Sequence, residues 1–441
     1  MKPWSVCLLL GVCCFAAHGR AQDPDWQSLL RQGKHEQLAD RLNRGLNPAQ
    51  RLPDQSLPLA WAIELQDVDA VRLLLQHGAM TEDRRPDANP FQPLIVACQH
   101  GNHTILSLLL DAGADVDITG PDGIPALSIC AGHAPTTVVE HMLDLGAVVD
   151  HADEKSQTPL MWAALNSRLE TLNLLIEHGA DVNRQTASGF TPLLFGVKSR
   201  DSETAMTIVK AGGDTGHVTP DGTTLVQLAM YQQNHEFAEW LVAQGADLEA
   251  YDRNGRQLIH AAVLANQPRL VGLLLAKGAD VNALTGPSSV KWKYESNFRP
   301  GAYEFPPTPP LALAVQQNAP LMMRGLADAG ADVAWRDAHG NNIALLASRE
   351  SPETLAAALR LAPDANVRND SGKTPLHLVL RGLAGADRDA RLEVLAAHGA
   401  DPLIPDNDGV TAAEMAAAED FRGHLLFTRL FPDTAKKETQ L

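Results

Sequence analysis

Cysteine, basic charge and long apolar runs are all scarce in this chain, and each shortage excludes something. Five of the 441 residues are cysteine, and Cys7, Cys13 and Cys14 lie at the extreme N-terminus, leaving Cys98 and Cys130 for the body of the protein. Two cysteines cannot build a disulfide-rich scaffold, so apolar packing must hold the fold. The formal net charge is −17. An acidic chain without a basic stripe argues against nucleic acid and against anionic membrane surfaces as partners. Beyond the N-terminal segment no stretch is apolar enough to cross a bilayer as a helix, so no membrane insertion of the mature chain is expected. Also missing are a Gly-rich phosphate loop, a nucleophile elbow, a close Cys/His cluster and any pair of carboxylates outside a repeating framework. No cofactor, no metal and no enzymatic activity are therefore expected.

The N-terminus reads as a processing signal. Lys2 supplies the positive start, an apolar run follows from Val6 to Ala17, and Gly19-Arg20-Ala21 offers small residues for cleavage before Gln22. The apolar run is too short for a membrane-spanning helix. Residues 1–21 are thus expected to be a signal peptide of the Sec type. The rest of the chain is expected to be exported, to a bacterial periplasm first and the extracellular space second. Residues 433–441 read as a disordered tail.

What the chain does have is a period. Gly113, Gly146, Gly179, Gly212, Gly245 and Gly278 are spaced by 33 residues throughout, and Gly45 and Gly78, themselves 33 apart, extend the series upstream across one step of 35. Downstream, Gly330, Ala362 and Gly399 hold the same place with irregular spacing. Most of these positions precede Ala-Asp, as in Ala180-Asp181-Val182-Asn183 and Ala279-Asp280-Val281-Asn282. A second marker precedes the glycine: Thr158-Pro159-Leu160, Thr191-Pro192-Leu193 and Thr374-Pro375-Leu376-His377. Thr caps a first helix, and Pro sits in the first turn, where its missing N–H is harmless. A second helix follows, such as 169–178, with Leu172, Leu175 and Ile176 on one face. Glycine then ends it in a left-handed conformation. Such a helix pair has apolar surface on both sides, which stacking against neighbours buries.

The period, the Thr-Pro-Leu-His start and the Gly-Ala-Asp-Val-Asn end resemble the ankyrin repeat. The resemblance implies an all-α solenoid of stacked helix-turn-helix units with projecting hairpin loops. It covers residues 22–432 as about twelve units, with degenerate caps at both ends. It also implies that His377 and His260 hold a structural position that orders the turn.

Two departures from the rhythm stand out. After Asn282 the next helix start is displaced from Val290 to Pro309, so 19 residues are inserted into a projecting loop, 285–308. This segment carries Trp292, Tyr294, Phe298, Tyr303 and Phe305 together with Lys291, Lys293 and Arg299. Aromatics and arginine anchor protein interfaces, and loops this long either bind or pack on themselves. In ankyrin proteins the projecting loops and the adjoining concave face touch the partner, which the resemblance lends to this loop. Trp335 and Arg336 fall on the next projecting loop. The candidate partner-binding residues are therefore Trp292, Tyr294, Phe298, Arg299, Tyr303, Phe305, Trp335 and Arg336. The second departure, 381–387, adds four residues between the two helices of one repeat and reads as a bland loop extension.

The remaining candidates read as framework. His77, His178 and His398 precede terminal glycines, where a hydrogen-bonding residue suits a helix C-terminus. The Gly-Ala-Asp aspartates form a solvated acidic edge that does not converge as a calcium site would. Trp61 and Trp162 occupy a position that reads as core. Cys98 and Cys130 fall where Ala is usual, which predicts small buried thiols. The spacing between first helices argues against a disulfide, which stays open as the alternative in an oxidising compartment. Together these features point to a monomeric, non-enzymatic scaffold that binds a protein partner. An inhibitor or immunity-type protein against an exported toxin or enzyme is the alternative.

Overall fold

The computed structural model describes residues 26–52, 55–82, 92–220, 222–287, 306–382, 385–418 and 421–432. The chain forms two compact bodies, residues 1–148 and 149–441. Each is built from short antiparallel helix pairs, and among the described residues extended structure is limited to isolated bridges such as Val218–Thr224 and Pro405–Thr411. Both bodies are thus all-α stacks of repeating helical units.

One repeat shows why the sequence folds this way. Thr158 is extended and ends the preceding hairpin, and the first helix is Pro159–Leu165, with Leu160, Met161, Ala163 and Ala164 buried. The second helix, Leu169–Glu177, buries Leu172 and Leu175 against the first. Alanine in the first helix leaves room for the neighbouring repeat, and each fully buried leucine contributes about 1.5–3 kcal/mol. His178 ends the second helix, its Nδ1 hydrogen-bonded to the Leu174 carbonyl at 2.9 Å, and Gly179 follows at φ +87°. His77 and His398 make the same bond to Leu73 and Val394, both at 2.8 Å. These histidines cap helix ends, as their sequence position suggests. Ala362 departs from the glycine series: its φ is −129°, so the helix Pro352–Leu361 stops without a left-handed residue.

Between the two helices lies a second left-handed position that the sequence does not advertise. It is glycine at Gly33 and Gly101, but Gln66, Ser167, Arg200, Gln233, Asn266 and Asn318 elsewhere, with φ between 52° and 68°. A side chain there is unfavourable by about 1–2 kcal/mol relative to glycine's freedom.

In several repeats a side chain after the terminal glycine ties one repeat to the next. Asn183 Nδ2 donates to the Gly212 carbonyl at 2.9 Å while its Oδ1 accepts from the Asp214 N–H at 2.8 Å. Asn366 bridges in the same way to Gly399 and Asp401. Asn282 does so across the insertion, reaching Gly330 and Asp332, so the inserted segment leaves the stack closed around it. The preceding aspartates are not merely solvated. Asp181 and Asp280 each accept the N–H two residues on, at 2.9 and 2.8 Å, and so fix the turn.

Cys98 and Cys130 are joined in a disulfide, which corrects the expectation of separate thiols. The first helices Pro93–His100 and Ala126–His133 are lined here by Ala97, Ala131 and Gly132, all buried. Small residues let the backbones approach until the two Cα atoms are 4.6 Å apart, within disulfide reach. The two cysteines are 32 residues apart rather than a full period. That one-residue offset turns the thiols toward each other.

Candidate partner-binding surface

The projecting hairpins share one construction. In the hairpin that begins at Asp252, the Asp252 N–H donates to the Arg256 carbonyl at 2.9 Å. The Asp252 carboxylate accepts the Asn254 and Arg256 N–H groups, both at 2.8 Å, and Gly255 adopts φ +71° between them. Asp153, Thr186, Thr219, Asp337, Asn369 and Asp406 anchor equivalent turns, each pairing its N–H with the carbonyl four residues on. Burial works against the Asp337 carboxylate. Hydrogen bonds from the Asn341 side chain and from the Asn341 and His339 N–H groups outweigh it and hold the carboxyl below its ordinary pKa.

The insertion begins and ends at this same anchor. Thr285 occupies the Asp252 position one period later, and its N–H donates to Thr308 rather than to a residue four along. The Thr308 N–H returns to Thr285 Oγ1 at 2.9 Å, over a separation of 23 residues. The hairpin base is therefore kept and its tip replaced. Trp292, Tyr294, Phe298, Arg299, Tyr303 and Phe305 lie outside the described residues.

Beside that base lies a feature the sequence reading missed. Val218, Tyr251 and Leu284 each precede a hairpin anchor by one residue, in three consecutive repeats, and they are 47%, 48% and 43% exposed. Tyr251 reaches over Leu284, its hydroxyl 3.4 Å from the Leu284 carbonyl, and its ring lies against Gly286. A Cβ at Gly255 would collide with the Gly286 carbonyl at 2.0 Å, so only glycine lets the two hairpins touch, and the Gly286 N–H donates to the Gly255 carbonyl at 2.7 Å. The signal was present as apolar residues 33 apart, but buried positions carry the same period and mask it.

Trp335 is half-buried. Arg336 stands at the Tyr251 position of the following repeat, where its Nη1 donates to the Gly340 carbonyl at 2.6 Å and the Arg368 carbonyl at 3.0 Å. Its guanidinium fastens one hairpin to the next and lines a cleft of about 410 Å³ with Val333, Pro363 and Val367. Trp61 and Trp162 are half-buried rather than core. The Trp61 Nε1–H donates to Ser56 Oγ at 2.9 Å, and Arg31 stacks over the ring at 5.1 Å.

His260 and His377 hold structural positions, as the resemblance implied. His377 Nδ1 accepts the Thr374 N–H at 3.2 Å and Nε2 lies 3.0 Å from the Val410 carbonyl. His260 bonds likewise to Gln257 N–H and the Ala283 carbonyl, and its burial pulls its pKa below the usual histidine value against those bonds. Among the described residues no group of three or more His, Cys, Asp or Glu could hold a metal ion. No described helix is long and apolar enough to cross a membrane.

Comparison with known proteins agrees with this geometry. A family model described as ankyrin repeats, three copies, matches residues 28–120, 115–186 and 193–285. The human protein "Ankyrin repeat and SOCS box protein 2" is 40% identical over 75 residues, covering 16% of this chain and 11% of that protein. The likeness to a human protein overturns the expectation of a bacterial protein with a Sec-type signal peptide. That expectation rested on a charged start, an apolar run and small residues, a pattern with no lineage of its own. More than half of the chain falls within the matched residues, and it belongs to the ankyrin-repeat family.

Proposed function

We propose that this chain is a non-catalytic scaffold that binds a protein partner on its projecting hairpins. The exposed row Val218, Tyr251 and Leu284 carries the reading. Isolated apolar residues on a surface mean little, but Tyr251 and Leu284 touch and Val218 repeats their position one hairpin earlier, an exposed apolar row of the kind partners cover. The inserted segment leaves and rejoins the stack at Thr285 and Thr308, next in sequence to Leu284, and its Trp292, Tyr294, Phe298, Arg299, Tyr303 and Phe305 are assigned to the same contact on residue type. Trp335 and Arg336 extend it on the next hairpin. The chain acts as a monomer in an oxidising compartment outside the cytoplasm, a setting supported by the buried Cys98–Cys130 disulfide.

The test is affinity capture with the purified full chain, followed by quantitative binding of the recovered partner. Tyr251→Ser together with Leu284→Ser is expected to weaken binding by about 2 kcal/mol or more, the scale of an interface hot spot. Deleting residues 288–305 is expected to do the same. Unchanged affinity in both variants, with unchanged helix content, would overturn the assignment. A captured enzyme or toxin that loses activity one-for-one on binding would make the scaffold an inhibitor. Full alkylation of Cys98 and Cys130 in protein drawn from cells without reduction would refute the oxidising compartment.

A further inference from the structure

We infer that the C-terminal body carries a second binding site, for a phosphate group, at the helix–helix turn where the repeat is extended after Arg381. A cavity of about 550 Å³ lies there, walled among the described residues by Arg349, Arg388, Arg391, Gly382, Gly385 and Asp387. Three guanidiniums face one carboxylate there, in a chain whose overall charge is −17.

The three arginines are held differently. Arg388 is only 5% exposed, with Nε 3.9 Å from Asp389 Oδ1. Arg391 is half-buried and positioned by two backbone carbonyls, Nη1 to Ser348 at 3.0 Å and Nε to Asp387 at 3.2 Å. These bonds fix the plane of the Arg391 guanidinium and leave Nη2 for a ligand. Arg349 comes from the preceding repeat, and its side chain is exposed at the mouth. Two inner arginines held by protein contacts and one exposed outer arginine suit an anion that enters from solvent.

The same wall contains the start of the helix Ala386–Ala397, whose N-cap is Gly385 with no side-chain cap. The first-turn N–H groups of a helix lack intrahelical acceptors and carry partial positive charge. Glycine at the cap lets an oxyanion approach the backbone. With Asp389 paired to Arg388, the three guanidiniums keep an excess of positive charge over Asp387 and Asp389, and arginine's planar fork suits the oxygens of a phosphate. The site lies at the helix–helix turns, at the other end of the helices from the projecting hairpins, so it is separate from the surface proposed above.

Calorimetric titration of the full chain with inorganic phosphate, and in parallel with a phosphoserine peptide and its unphosphorylated form, tests this. Saturable binding of phosphate is expected, weakened about tenfold by Arg349→Ala, the loss of one charge-assisted contact. The Arg349 side chain is exposed and makes no hydrogen bond or ion pair among the described residues, so this variant should keep its helix content. Phosphopeptide binding tighter than free phosphate would assign a modified protein as the source; equal affinities would assign the free ion or a small phosphate ester. Absence of saturable binding, or phosphate affinity untouched by both Arg349→Ala and Arg391→Gln, would overturn the site.

Discussion

The two bodies tie one repeat to the next by different means. In the N-terminal body two neighbouring first helices are joined covalently through Cys98 and Cys130. In the C-terminal body the first helix reaches the following hairpin through a polar side chain in its first turn. Gln227 donates to the Ala250 and Arg256 carbonyls at 2.9 and 3.1 Å, and His260 and His377 make the corresponding bonds. That body also holds repeats with neither device. Met161 and Leu194 stand where Gln227 and His260 stand, and the hydroxyls of Thr158 and Thr191 beside them are buried with no hydrogen-bond partner among the described residues. Apolar stacking, with the Asn183 bridge to Gly212 and Asp214, therefore holds these repeats without a first-turn polar tie. The cross-links add local stability on top of it, as expected where stability is a sum of repeat and neighbour terms.

The covalent tie should matter most. Replacing both cysteines by Ala opens a loop with a separation of 32 residues, which should lower the stability of the N-terminal body by roughly 3–4 kcal/mol. Hydrogen exchange read by mass spectrometry separates the two bodies, and the loss should be confined to residues before 148. An equal loss in both bodies would mean that they unfold as one.

Next comes His377→Ala, which strands the buried Thr374 N–H and takes one of two bonds from the Val410 carbonyl, which keeps the Asp406 N–H. A loss of roughly 1–3 kcal/mol is expected, chiefly from the one unsatisfied buried backbone group. His377→Gln should recover most of it, because Gln227 already does the same work. A Gln variant as unstable as the Ala variant would show that ring packing, not bridging, is what matters there. The reverse change, Met161→His, should give the Thr158 hydroxyl a partner and add about 1 kcal/mol. A loss instead would mean that the apolar site cannot seat an imidazole.

His260 gives the comparison a pH dependence that Gln227 cannot have. Its folded-state pKa is lowered by burial. The unfolded chain therefore takes up a proton first as pH falls below about 6.5. The stability it contributes is full above that value and declines as pH drops through the folded pKa. Asp337, whose folded pKa is also lowered, adds a further decline at more acidic pH. In urea titrations across pH, His260→Gln should remove the first decline and keep the second. Persistence of both in the variant would place the sensitive group elsewhere.

These contrasts mark what the sequence made legible. Glycines at a constant interval set the register of most helix pairs, and the displaced Pro309 located the insertion. The anchors Thr285 and Thr308 could not be seen as a pair, because the turn residues between them are replaced by the insertion itself. The disulfide escaped because its halves are offset by one residue, so aligning repeats separates them. The arginine cavity escaped because its wall draws on two repeats, and spacing within either one looks like an ordinary turn.

The smallest effect concerns the left-handed position between helices, where the two bodies give opposite signs for related changes. Gly101 in the N-terminal body has φ +67°, and a Cβ there would lie 2.6 Å from the His133 carbonyl oxygen. Gly101→Ala should destabilise through both backbone strain and that clash. Arg200 in the C-terminal body occupies the same place in its repeat at φ +68° with a side chain already present. Arg200→Gly relieves the strained conformation but gives the unfolded chain more freedom to lose. The two terms partly cancel, leaving a gain of about 0.5–1 kcal/mol. Urea midpoints of the two variants decide the matter. If Arg200→Gly lowers the midpoint, the side chain contributes a contact that outweighs its strain, and the absence of glycine from that position in most repeats has a packing cause rather than mere tolerance.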